Sequence, residues 1–305
     1  MHRELDKVWG EVYRVLKQGG FACINVGDAT RTIAEEFKLY PNHARILSSC
    51  LELGFSPLPE ILWRKQTNAP NKFMGSGMLP AGAYVTLEHE FILILRKGGI
   101  RHFNTPEEKQ RRRESSYFYE ERNLWFSDIW QDLQGTRQNG IPRRIRARSG
   151  AYPFELPYRL INMFSVKEDT VLDPFLGTGT TTLAAMVTGR NSVGIEIDPE
   201  FKEYLSSRFS NVFDIADQKM NSRILNHLQF IQKRTKTKSK PLYENKRYGF
   251  PVVTNQETEM VLYELNGIEE KIDGVFEVDY RENSASSWKN LMKIDLARIG
   301  ALSVI

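Results

Sequence analysis

Apolar and polar positions along this chain follow two periods. Over residues 4–17, Leu5, Val8, Trp9, Val12, Val15 and Leu16 recur at the spacing of one helical face, which predicts an amphipathic helix ended by Gln18, Gly19 and Gly20. "FACINVG" then reads as a buried strand. A second helix is expected over 41–53, with Ala44, Ile46, Leu47 and Leu51 apolar and Gly54 as its stop. "LPEILWRK" reads as a strand, and "EHEFILILRKGG" as a clearer one, a continuous apolar run bounded by charges and glycines. After residue 150 the alternation resumes. "FELPYRLINMFS" predicts a helix, "DTVLDPF" a strand, "TTLAAMVTG" a helix and "NSVGIEI" a strand, and 199–209 predicts a helix opened by proline. Strands alternating with helices in this way indicate the α/β class with a doubly wound, Rossmann-like sheet.

Residues 98–148 break the pattern. They are basic, carry Tyr117, Phe118, Tyr119, Trp125, Phe126 and Trp130, and show no sustained period. Two readings stand: a recognition element borne on a scaffold, or an excursion packed on its own aromatics. Past residue 211 a helical piece (223–232) leads into a lysine-rich stretch. The last segment, 242–305, mixes strand-like "GVFEVDY" with helix-like "TEMVLYEL".

Composition narrows the class. The 305 residues are 41% hydrophobic and 26% charged, with no apolar run long enough to span a bilayer, so a soluble protein without a membrane partner is expected. "MHRELDKVWG" lacks the pattern of a secretion signal. Cys23 and Cys50 have no paired spacing, which argues against a metal site or a disulfide framework and fits a reducing cytoplasm. Net charge is only +4, but the cations bunch in "KQRRR", "PRRIRARSG" and "QKRTKTKSK". Such bunching points to a polyanion surface. In the second stretch Arg143, Arg144, Arg146 and Arg148 are read as contacts to a phosphate backbone, whereas "KRTKTKSK" is read as a solvated linker.

The chemistry concentrates in "LDPFLGTGTTTLAAMVTGRNSVGIEID" (172–198). A P-loop needs a lysine after its last glycine, but Thr180, Thr181 and Thr182 follow Gly179. The dinucleotide fingerprint needs a third glycine where Thr182 stands. What remains is an acid at a strand end (Asp173), two glycines for close backbone approach (Gly177, Gly179), and a second acid, Glu196, 19 residues beyond Gly177. A carboxylate so placed suits a ribose diol. A nucleoside with a charged tail and no phosphate, S-adenosylmethionine, is the ligand this implies.

These residues resemble a known family. "DPFLGTGTT" followed by "GRNSVGIEID" is similar to the cofactor motif of the amino-group DNA methyltransferases, which act on cytosine N4 or adenine N6. The order of segments resembles their permuted, beta-class arrangement: catalytic half, recognition insert, cofactor half. "LDKVWGEVYRVLKQGGFACINVGD" resembles the segment that follows the catalytic loop, and "SGAYPFELPYRLI" the segment over the cofactor's methionine part. The resemblance covers about residues 1–210. It implies a catalytic-half α/β segment over 1–97, a target-recognition insert over 98–148, a cofactor-binding half over 149–212 and a C-terminal extension over 213–305. Asp173, Phe175, Gly177 and Gly179 would then line the S-adenosylmethionine pocket. Thr180 and Thr181 would hold the cofactor's carboxylate at a helix N-terminus, Glu196 the ribose hydroxyls, and Phe154 the methionine end.

The family's catalytic loop, a Ser, Asp or Asn followed by two prolines and an aromatic, has no match here. No Pro-Pro pair occurs in the sequence, and "SPLPE" (56–60) is the nearest string. In the family that loop lies just before the position of Met1, on a mid-sheet strand. A truncated reading frame, a second polypeptide that donates the strand, or the extension's "GVFEVDY" filling the gap are the options. Double-stranded DNA is the expected partner, with cytosine N4 preferred over adenine N6. The alternatives are a DNA- and cofactor-binding subunit without catalysis, and an RNA methyltransferase with a similar glycine turn. Asp28, ending "NVGD", is read as a cap for the turn that follows it.

Overall fold

Met1–His102 with Phe126–Arg137 form one unit, and Phe103–Trp125 with Gln138–Ile305 a second. The computed structural model describes residues 1–65, 74–135, 152–237, 243–272 and 274–282.

In the first unit, helix α1 (His2–Val15) and strand β1 (Phe21–Val26) lead to a hairpin of β2 (Ala29–Ile33) and β3 (Glu36–Tyr40). Helix α2 (Asn42–Glu52), β4 (Phe55–Arg64), the short pair β5 (Met74–Gly75) and β6 (Ala83–Tyr84), β7 (His89–Lys97) and β8 (Ile129–Trp130) follow. The main sheet runs β1–β7–β4–β8, antiparallel except where β8 joins β4. β7 lies inside that sheet, and Ile92, Leu93, Ile94 and Leu95 are all buried, as a continuous apolar run requires when both faces are covered. The apolar stripe of α1 closes with α2 over the sheet through Trp9, Ile46, Cys50, Phe55, Leu93 and Leu95. Cys50 belongs to this core, and burial pushes its thiol up to about 11. Part of the aromatic insert is core here as well. Trp130 pairs in register with Trp63, whose indole donates to the Leu133 carbonyl at 2.9 Å, and both tryptophans are buried.

The second unit opens with two insert helices, α3 (Pro106–Glu114) and α4 (Tyr119–Trp125). Then come α5 (Glu155–Phe164), β9 (Thr170–Asp173), α6 (Thr180–Val187), β10 (Asn191–Gly194), α7 (Phe201–Ser210) and the long α8 (Val212–Thr237). β9 and β10 pair in parallel across α6, the Rossmann-like step expected. The extension adds β11 (Tyr243–Glu244), β12 (Pro251–Val252), a 3-10 turn (Asn255–Glu257), β13 (Tyr263–Ile272) and β14 (Val275–Glu282). It is not an appendage. Tyr248, Phe250, Val252, Met260 and Leu262 share a core with Phe118 of the insert and Ile224 and Leu228 of α8. Leu265 of β13 shares another with Leu183, Met186, Phe209 and Val212.

Two expectations fail in the extension. "TEMVLYEL" (258–265) is not a helix: 258–262 is irregular and β13 starts at Tyr263. Met260, Val261 and Leu262 are buried in succession, which a one-sided helix does not allow. The Asn245 side chain also takes the carbonyls of Glu257 and Met260 at 2.9 and 3.0 Å. "GVFEVDY" fills no gap beside β1 or β9, because β14 spends its backbone bonds on β13. Among the described residues β1 pairs only with β7, and β9 only with β10.

Candidate functional site

The glycine turn joins β9 to α6 in the second unit. Asp173 closes β9 and its Oδ1 accepts the Phe175 N–H at 3.0 Å, which turns the chain out of the strand. Gly177 (φ 50°) and Gly179 (φ 74°) lie in the left-handed region that favours glycine. Their surroundings differ. A Cβ on Gly179 would stand 2.6 Å from Leu205 Cδ2 and 2.7 Å from Phe209 Cε1, so this glycine lets α7 close on the turn. A Cβ on Gly177 would meet nothing nearer than the Phe175 carbonyl at 3.8 Å, so this glycine has an open side.

The spacing of Glu196 from Gly177 becomes a contact. Glu196 Oε2 accepts the Gly177 N–H at 2.8 Å, and Oε1 accepts the Asp198 N–H at 2.9 Å. A carboxylate has about four acceptor positions, so these two bonds orient it and leave capacity for hydroxyls. Around it the surface is apolar: Phe175 is 51% exposed, Ile195 56% and Ile197 97%. Ile195 and Ile197 were not singled out from sequence, although their alternation with Glu196 in "GIEID" places them on one side of the acid.

Thr180 and Thr181 start α6 and are buried. Thr180 Oγ1 lies 3.3 Å from Thr178 Oγ1 and 3.4 Å from Arg208 Nη1, which also donates to the Thr178 carbonyl. Thr181 Oγ1 lies 2.6 Å from the hydroxyl of Tyr152, which also reaches Asp173 Oδ2 at 3.5 Å. Burial, and then the Asp173 charge, push the Tyr152 phenol well above its ordinary value, so it stays a neutral donor. Tyr152 thus ties the strand-end acid to the first turn of α6. It lies within "SGAYPFELPYRLI", but a tie across 21 residues to Asp173 has no local signal. Phe154 starts α5 half-buried, packed on the Leu183 and Met186 core and 5.6 Å from the Tyr158 ring. The structure therefore gathers Asp173, Phe175, Gly177, Gly179, Thr180, Thr181 and Glu196 at one turn and sets Phe154 against the core behind α6. Arg143, Arg144, Arg146 and Arg148 lie outside the described residues.

In the first unit Asp28, just past β1, accepts the His43 N–H at 3.1 Å and His43 Nδ1 at 2.8 Å, and so fastens the start of α2. Asn25 and Lys65 both donate to Glu90 at 2.7 Å.

The DNA methylase family model matches residues 1–208. The chain belongs to that family. It is 50% identical over 282 residues to the type II methyltransferase M.MthZI of Methanothermobacter thermautotrophicus, covering 92% of this chain and 78% of that protein. It is 51% identical over 208 residues to M.MjaI of Methanocaldococcus jannaschii, covering 68% and 67% respectively. Among solved structures, the DNA modification methylase TTHA0409 of Thermus thermophilus, complexed with S-adenosyl-L-methionine, superposes with a TM-score of 0.56 at 36% identity, over 69% of this chain and 76% of that one. Among the described residues no helix is long and apolar enough to cross a membrane.

Proposed function

We propose that this DNA methylase transfers the methyl group of S-adenosylmethionine to an exocyclic amino group of double-stranded DNA, with cytosine N4 preferred over adenine N6. One observation carries the cofactor reading: the carboxylate of Glu196 is oriented by the backbone of Gly177, whose open side faces no other atom. The residues fit the group. Glu196 keeps acceptor capacity for the ribose hydroxyls, and Phe175, Ile195 and Ile197 offer apolar surface for a base. The N-terminal turn of α6, behind Thr180 and Thr181, presents backbone dipoles to a carboxylate. When bound, S-adenosylmethionine supplies an electrophilic methyl group. The relatives named above as type II methyltransferases, and the neighbour solved with S-adenosylmethionine, support the same reading. A restriction–modification setting follows from it.

The target base must leave the duplex to be reached, and its amino nitrogen is a poor nucleophile until its N–H bonds are accepted. In the family a Ser, Asp or Asn with two prolines does this. No such string occurs in residues 1–305, and β1 and β9 each have one described pairing edge in use. We place that loop on polypeptide outside these residues, upstream or on a second chain. Residues 98–148 are assigned to target recognition, and Arg143, Arg144, Arg146 and Arg148 to the phosphate backbone. The same missing loop favours a second reading, a DNA- and cofactor-binding subunit without catalysis. Methyl transfer from labelled S-adenosylmethionine to unmethylated genomic DNA, followed by nucleoside analysis, separates the two. With an upstream segment restored, label in N4-methylcytosine is expected. Label in N6-methyladenine overturns the base preference, and no label at all favours the subunit.

A further inference from the structure

Away from the glycine turn, three ionisable side chains from distant segments converge: Glu120 on α4, His227 on α8 and Glu257 in the 3-10 turn of the extension. A ligand atom from each lies within 4.8 Å of the others. His227 is fully buried, Glu257 is 1% exposed, and the imidazole stacks on Phe118 at 3.9 Å. The hydrogen bonds leave this cluster short of positive charge. His227 Nε2 lies 2.9 Å from the Pro251 carbonyl, which only accepts, so the hydrogen is on Nε2. Nδ1 then turns its lone pair toward Glu120 Oε1 at 2.8 Å. Two acceptors at that distance need a cation between them, a proton or a metal ion. Glu120 Oε2 is buried with no hydrogen-bond partner. Glu257 accepts from the Tyr119 N–H at 2.9 Å and from the N–H and hydroxyl of Thr254 at 2.6 and 2.7 Å, all neutral donors. One more proton on His227 would answer one of the two carboxylates and leave the other as buried charge, which is costly. The neighbouring guanidinium of Arg223 is committed to Glu121 through bonds of 2.6 and 2.7 Å.

We propose that Glu120, His227 and Glu257 bind a zinc ion that fastens the C-terminal extension to α4 and α8. A divalent ion answers both carboxylates at once. An imidazole whose far N–H is held by a carbonyl is the usual posture of a metal-binding histidine. One nitrogen and two carboxylate oxygens suit zinc, with water in the fourth place, better than magnesium or calcium, which take oxygen alone. The absence of cysteine pairs, which argued against a metal in the sequence, does not bear on a ligand set drawn from three separate segments, two of them 107 residues apart.

The test is the metal content of the full chain, purified without chelator, together with its thermal midpoint after chelation and after zinc is returned. Near-stoichiometric zinc is expected, with a midpoint that falls on chelation and recovers with zinc but not with magnesium. Glu120→Gln keeps an acceptor for His227 and removes only a ligand charge on a partly exposed side chain. It should fold, lose the zinc and lose the response to chelator. Cobalt added to the stripped wild-type protein should give visible absorption that this variant lacks. A wild-type chain without zinc, whose midpoint neither zinc nor chelator moves, overturns the proposal and leaves an imidazolium–carboxylate pair.

Discussion

Gly177 and Gly179 share a backbone conformation but differ in what surrounds them, and a methyl group separates their roles. Gly179→Ala meets Leu205 and Phe209 as well as the left-handed penalty, so a loss of about 2–5 kcal/mol is expected in urea unfolding. Gly177→Ala carries the conformational penalty alone, about 1–2 kcal/mol, but its methyl group projects from the open side of the turn. Calorimetric titration with S-adenosylmethionine should show a larger affinity loss for Gly177→Ala than its stability loss would suggest. A second residue sets a pH dependence. Lys167 is buried, donates to the Val261 carbonyl and sits 3.6 Å from the Tyr263 ring centre. Burial, then the charges of Arg190 and Arg223, hold its amine well below the ordinary lysine value. Between the folded and unfolded values the unfolded chain binds a proton that the folded chain does not. This group therefore makes stability rise with pH toward the ordinary lysine range. Lys167→Met removes that contribution, so the stability of the variant relative to wild type should fall steadily from about pH 6 to about pH 9 in urea unfolding.

At the scale of elements, the extension is part of the second unit's core, and its two faces give different expectations. Leu265→Ala on β13 opens a cavity beside Leu183, Met186 and Phe209 and should cost about 2–4 kcal/mol in urea unfolding. Ile272→Ala, on the same strand but 69% exposed, should stay within about 0.5 kcal/mol of wild type. Which elements were legible follows from how each meets the core. α1 and β7 show their period because one buries a stripe and the other buries everything. α3 shows none because it buries no residue. Its start was nevertheless written in the chain: Thr105 accepts from Glu108 at 3.2 Å, Glu108 reaches back to the Thr105 N–H at 3.1 Å, and Pro106 opens the first turn. The 258–265 stretch misled because its apolar positions serve two cores instead of one face. The gathering at the glycine turn was legible because Asp173, Gly177, Gly179 and Glu196 are spaced along one strand–helix–strand step, so their contact is built by local geometry. Tyr152 and the Glu120–His227–Glu257 cluster were not legible, since only tertiary packing brings their partners near.

For the whole molecule, charge placement matters more than charge total. A net charge of +4 on 305 residues gives little long-range attraction to DNA, so binding must come from cations that bunch. Several bunched arginines are already occupied within the fold: Arg111 pairs with Glu168 at 2.5 Å and Arg113 with Glu259 at 3.6 Å, so much of "KQRRR" is bound to the protein's own acids. "PRRIRAR" holds four arginines within six positions, 143–148, without an acid between them. Neutralised phosphates release counterions, and each contact steepens the salt dependence by about 0.9 in log–log slope. Replacing Arg143, Arg144, Arg146 and Arg148 with alanine should therefore weaken binding to cognate and unrelated duplexes alike, and flatten that slope by up to about 3–4. Fluorescence anisotropy on two duplexes across a salt series reads both quantities. Loss confined to one duplex at an unchanged slope would place these arginines on base edges instead. An unchanged affinity for both would remove them from the interface, because no other term in this nearly neutral chain could hide the loss of four phosphate contacts.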